Sequence, residues 1–120
     1  MNDSVHITLK DSLPVMIRSS FVNEDLFLDE IGISRSLDTQ LRAKSESATA
    51  PLIFVDVNEY EDAFSIRGLY RIVGDKVELR AKLLKGSKAV GEGFELKSEN
   101  DPDKLAKAIL QKIWPEILKK

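Results

Sequence analysis

Cysteine is absent from this chain of 120 residues, and histidine occurs once, as His6. The first absence excludes disulfides and thiolate metal sites together. The second leaves a Ser-His-carboxylate triad one imidazole to recruit, and nothing around Ser4, Ser12, Ser19 or Ser20 resembles a nucleophile elbow. Positive charge is not in excess: 18 Lys and Arg face 20 Asp and Glu, for a net charge of −2. General binders of nucleic acid or anionic membrane gain affinity from net positive charge, so neither class is expected and any basic surface must be local. No apolar run approaches membrane-span length, and residues 1–13 contain no apolar core of a signal peptide. A soluble chain without direct membrane insertion is expected, cytoplasmic if complete and periplasmic if a leader has been removed.

What is present is the composition of a folded domain, 42% hydrophobic and 32% charged, and only residues 45–50 read as a flexible link. Residues 1–120 form one domain, long enough to bury a core without staples. Between residues 64 and 96 the apolar spacing and two glycine turns fit a three-strand meander. Gly74-Asp75 and Gly86-Ser87 each suit a two-residue hairpin loop, with Gly supplying the positive φ of a type II′ turn. The first hairpin sets Ile72 opposite Val77, Tyr70 opposite Leu79 and Gly68 opposite Ala81. The second sets Leu83 opposite Val90, Leu79 opposite Phe94 and Val77 opposite Leu96. All these apolar residues share one face, and a one-residue slip would send a strand's whole set to solvent.

Elsewhere Val5, Ile7 and Leu9 alternate with polar residues as in a short half-buried or edge strand. Pro14 introduces a strand through Val15, Met16 and Ile17 towards Phe21 and Val22. Residues 23–33 are too apolar for a solvated loop, yet Gly32 weakens any helix through them. Ser34 is read as the N-cap of a helix burying Leu37 and Leu41 and ending within residues 43–47. Residues 52–55, a compact apolar run after Pro51, fit a central strand covered on both faces. A final helix is capped by Asn100 or Asp101, has Pro102 in its first turn, and buries Leu105, Ile109 and Ile113 with Ala106, Leu110, Trp114 and Ile117 beside them. Pro115 is expected to kink or end it just after Trp114. The fold class is α+β: one mixed or antiparallel sheet ending in the meander, with two main helices packed on one face.

Residues 15–26 followed by residues 33–41 resemble the first strand and first helix of the FlgO-like domain. That domain is grouped with the amino-terminal domain of TolB, the curli secretion protein CsgG and the lipoprotein activators of penicillin-binding proteins. Gly68-Leu69-Tyr70, Gly74-Asp75-Lys76-Val77 and the alternation of Leu79, Ala81 and Leu83 are similar to the group's Gly-rich strand, turn and amphipathic strand. Residues 103–109 are similar to its terminal helix. The resemblance implies a bacterial binding or assembly domain, a part of an envelope machine. Exported members carry a leader and often a lipidated cysteine, which this chain lacks, so an accessory module of a larger bacterial protein is implied at least as readily.

The acidic residues 56–62 supply enough oxygens for a hard cation. A calcium loop starting at Asp56, however, puts Glu61 where the sharp turn needs Gly and Arg67 where a bidentate Glu belongs. Gly86-Ser87-Lys88 lacks the upstream Gly of a phosphate loop, and Gly91-Glu92-Gly93 lacks a following Gly and a helix start. No metal, cofactor or catalytic residue is expected. The surface that stands out is the other face of the meander. With Tyr70, Ile72, Val77 and Leu79 inward, Arg67, Leu69, Arg71, Arg80 and Lys82 point outward, beside Gly91 and Gly93, where a partner's backbone can approach closely. A plain solvated face with cross-strand pairs such as Arg71 with Glu78 is the competing reading. No aromatic array interleaves these cations, so base stacking is unsupported.

The expected function is therefore non-catalytic, a protein-binding or assembly domain in which Arg67, Arg71, Arg80 and Lys82 meet an acidic protein partner. The alternative is a small-ligand sensor whose pocket, between the sheet and residues 23–33, is lined by Leu26, Phe27, Leu28 and Ile31. Two points stay open: whether residues 5–9 pair with this sheet or with a second copy in a strand-sharing homodimer, and whether Trp114 and Ile117 close the core or meet a neighbouring domain.

Overall fold

The computed structural model describes residues 13–118 and has the α+β architecture, a mixed six-stranded sheet with two helices. The elements run β1 (Val15–Met16), β2 (Ser20–Asn23), α1 (Ile33–Ser45), β3 (Ile53–Phe54), β4 (Phe64–Val73), β5 (Lys76–Lys85), β6 (Lys88–Glu99) and α2 (Pro102–Leu118). In space the order is β3-β1-β4-β5-β6, with β2 also pairing with β4. β1 and β2 are parallel to β4, and β3 is parallel to β1, so α1 is the crossover that returns the chain in the same direction. The expected strand at residues 5–9, and His6 within it, lie outside the described residues.

Met16 sits opposite Phe64 and Phe21 opposite Gly68, five residues of one strand against four of the other. The extra residue, within 17–19, is what lets both side chains face the core, because an unbroken strand sends positions five apart to opposite faces. The first strand is accordingly two short pieces. The run at residues 52–55 is not a central strand: β3 pairs only with β1 and forms the sheet's edge, with Leu52 buried and Ile53 and Phe54 half-buried.

Both hairpins turn on a glycine with positive φ, 65° at Gly74 and 63° at Gly86, and the first closes in the register the apolar pattern requires. The second departs from it. Leu83 faces Val90, but Ala81 faces Phe94 where an uninterrupted ladder would place Glu92, and Leu79 then faces Leu96 and Val77 faces Ser98. β6 carries two extra residues opposite Lys82, at a bulge where Gly91 takes φ 68°. Because the shift is even, Phe94 and Leu96 keep their inward sense and still pack against the core.

Helix α1 begins without a side-chain cap at its own N-cap residue, Gly32, and Ser34 is inside its first turn rather than its cap. Asp29 does the capping from outside, its carboxylate accepting the amides of Gly32, Ile33 and Ser34 at 3.1, 3.0 and 2.7 Å. Asp101 caps α2, accepting from the amides of Asp103 and Lys104. α2 runs on through Pro115 instead of ending there. So close to the end of α2 the missing N–H forfeits about one backbone bond, while Ile117, two residues further on, gains burial at 2% exposure. The core lies between the helices and one sheet face, with Leu37 and Leu41 of α1 and Leu105, Ile109 and Ile113 of α2 against Phe21, Ile66, Tyr70 and Leu79.

Gly68 sets how closely β2 and β4 approach. A Cβ there would collide with the Phe21 ring and lie 2.5 Å from the Arg80 carbonyl oxygen. Gly68→Ala should therefore cost about 1–3 kcal/mol through overpacking, read as a lower urea midpoint at unchanged slope. An unchanged midpoint would mean that the Phe21 ring is not seated on Gly68.

Candidate functional site

The sheet face opposite the helices carries Ser20 and Val22 from β2, Arg67, Leu69 and Arg71 from β4, Glu78, Arg80 and Lys82 from β5, and Glu95 and Lys97 from β6. No described helix covers it, and Leu69 at its middle is 41% exposed. The face is hollowed into a groove of about 590 Å³, lined in part by Val22, Leu69 and Ala89, with Arg67, Arg80 and Lys82 supplying charge. Gly93 opens its far side: it presents no side chain, and a Cβ there would stand 3.1 Å from the Ala81 carbonyl oxygen.

All four expected cations are on this face, but they divide into two kinds. Arg71 and Arg80 are held by one carboxylate, Glu24, just beyond β2, at 3.3 and 3.1 Å. Arg71 thus does not pair with Glu78, the cross-strand partner of the competing reading, although the two sit opposite each other; Glu78 pairs with Lys97 at 3.3 Å. Arg67 and Lys82 sit directly opposite each other across β4 and β5, and among the described residues neither has an acidic partner. Two like charges at facing positions destabilise a sheet. An anion placed between them removes that repulsion.

The acidic stretch behaves as a connection. Asp56 accepts from Arg18 Nε at 2.5 Å and pairs with Arg42 Nη2 at 3.0 Å, and the Arg18 hydrogen bond, with the charge of both guanidiniums, holds its carboxyl below the usual range. Among the described residues no three His, Cys, Asp or Glu converge as a metal site requires. No described helix is long and apolar enough to cross a membrane.

The segment 23–33 differs most from expectation. Leu26, Phe27 and Leu28 are 51%, 84% and 52% exposed, and of the four residues expected between the sheet and this segment only Ile31 packs on the core. The reason is a tight turn built on Asn23, whose carbonyl accepts the amides of Leu26 and Phe27 and whose amide donates to Leu28 O. The Asn23 side chain accepts the Asp25 amide as well. Asn followed two positions on by Asp was the available sequence signal, masked by the density of apolar residues after it. At the other end of the chain Trp114 is half-buried and Ile117 buried, so both belong to the core and its margin.

Behind the turn, Tyr70 donates its hydroxyl to Asp29 Oδ1 at 2.9 Å and accepts the Ile31 amide at 3.3 Å. Burial, and then the neighbouring Asp29 carboxylate, push its phenol up to about 12. Compared with protein-family models, curated proteins and solved structures, this chain matches none.

The Tyr70 phenol binds its proton more tightly in the folded chain than in the unfolded one, where ionisation sets in near 10. Its contribution is therefore complete below pH 10 and is lost as pH rises from 10 to about 12. Urea midpoints measured across that window should fall more steeply for the wild type than for Tyr70→Phe. Parallel slopes for the two proteins would rule this out.

Proposed function

We propose that this chain is a non-catalytic binding domain that docks an acidic segment of a partner protein on the bare face of its sheet. One observation carries the reading: Arg67 and Lys82 face each other across two strands without an acidic partner among the described residues, beside a groove with an apolar lining. Alternating cations and exposed aliphatic surface in an open groove fit an extended polypeptide with carboxylates on either side of an apolar residue. Arg71 and Arg80, engaged by Glu24, shape the groove's end rather than supply free charge. The domain would act as an accessory or assembly module, the role implied by the resemblance to FlgO-like and TolB amino-terminal domains.

The test is selection from a displayed random-peptide library on the immobilised domain, followed by fluorescence anisotropy of the enriched peptides. Enriched sequences should place Asp or Glu next to a large apolar residue. Arg67→Glu/Lys82→Glu should weaken their binding by at least about tenfold, while Lys112→Glu on the exposed side of α2 leaves it unchanged. Folding should survive both changes, since surface substitutions usually stay within about 0.5 kcal/mol. Peptides without acidic residues, or equal affinity for the double variant, would overturn the assignment.

A further inference from the structure

The turn between β2 and α1 has the chemistry that the groove lacks. Phe27, the most exposed large apolar side chain of the described residues at 84%, stands between Leu26 and Leu28 at φ 60°, a left-handed conformation that bulky residues rarely adopt. The conformation is enforced. Leu26 and Phe27 donate their amides to the Asn23 carbonyl at 3.1 and 2.7 Å, and Asn23 donates its own to Leu28 O at 2.7 Å. The Asp25 amide closes on Asn23 Oδ1 at 2.8 Å. Four hydrogen bonds that fix the backbone carrying this exposed ring make a pre-organised anchor point, the form in which aromatic hot spots are presented at interfaces.

The anchor's surroundings select its socket. Glu24, Asp25, Asp29 and Glu30 flank it, so an anionic membrane is repelled and a socket with an apolar floor and cationic walls is favoured. The groove of this same chain has that composition: Val22, Leu69 and Ala89 for the ring, Arg67 and Lys82 for carboxylates. Resting on the reading of that groove as a docking site, we propose that its occupant is the 24–30 turn of a second copy of this chain, with Phe27 in the groove and Asp25 between Arg67 and Lys82. Glu24 already bonds Arg80 at the end of its own groove, and three residues further on lies Phe27, within about 11 Å of extended chain. Turn and groove of one molecule are therefore neighbours, and two copies exchange turns about a two-fold axis into a closed dimer rather than an open chain.

Sedimentation velocity over a rising concentration series tests this. The wild type should pass from a 13.5 kDa monomer to a dimer. Phe27→Gly, which relieves the positive φ and leaves the turn's backbone bonds in place, should weaken the dimer by at least about tenfold without lowering stability. Arg67→Glu/Lys82→Glu should do the same from the opposite side. Mixing the two weakened variants should give a heterodimer tighter than either variant's own dimer, since one of its two contacts joins an intact turn to an intact groove. A wild type that is monomeric throughout, or a dimer indifferent to Phe27→Gly, overturns the self-contact. A monomer that still binds acidic peptides overturns the self-contact alone, and one that binds none overturns the docking site with it.

Discussion

One carboxylate, Asp29, joins the two layers on which the rest of the molecule depends. It accepts the Tyr70 hydroxyl from β4 and three amides at the start of α1, four donors from two layers. With the start of α1 fixed, Ser34 and Asp38 come to lie along the open side of β2. Ser34 Oγ accepts the Phe21 amide and Asp38 Oδ1 the Ser19 amide, each at 2.8 Å. Four residues of helix rise about 6 Å and two residues of strand about 6.6 Å, so a helix read at every fourth position matches a strand read at every second. The edge that would otherwise invite another strand is closed by side chains. Asp38 bears the consequence: burial lifts its carboxyl above the usual range against the pull of the Ser19 amide.

The two sheet faces divide the work. One is filled by the helices. The other stays wet, and its charges are arranged unevenly, two guanidiniums on one carboxylate at one end and two opposed cations at the other. The hollow beside those cations depends on residues without side chains. Gly68 lets Phe21 settle under β4 from the core side, and the bulge ending at Gly93 keeps β6 from filling the outer side.

The meander's first hairpin, its inward residues and the outward placement of Arg67, Arg71, Arg80 and Lys82 were legible because period-two patterning and two Gly turns overdetermine them. The bulge was not, since a two-residue insertion preserves parity and leaves no trace in the alternation; only the pair Gly91 and Gly93 hinted at it. The edge position of β3 was hidden because a short apolar run reads alike at the centre of a sheet and under a helix at its margin. Capping by Asp29 was missed because the acceptor lies four residues before the helix, beyond the positions that local capping rules consider. Charge pairing by Glu24 was out of reach, joining residues 47 and 56 positions apart.

The separation between β1/β2 and β4 also gives the fold an order in time. The two hairpins close across loops of two residues, events on the microsecond scale. The parallel pairing of Phe21 with Gly68 must close a loop of more than forty residues first, and contacts of that reach slow folding. The antiparallel pairings of the meander are thus local, and the pairing of β2 is not. Val22 and Ser20 are part of the groove, and Glu24 holds its end. The groove proposed for docking is therefore complete only once this long-range pairing has formed, although Arg67 and Lys82 already face each other across the first hairpin.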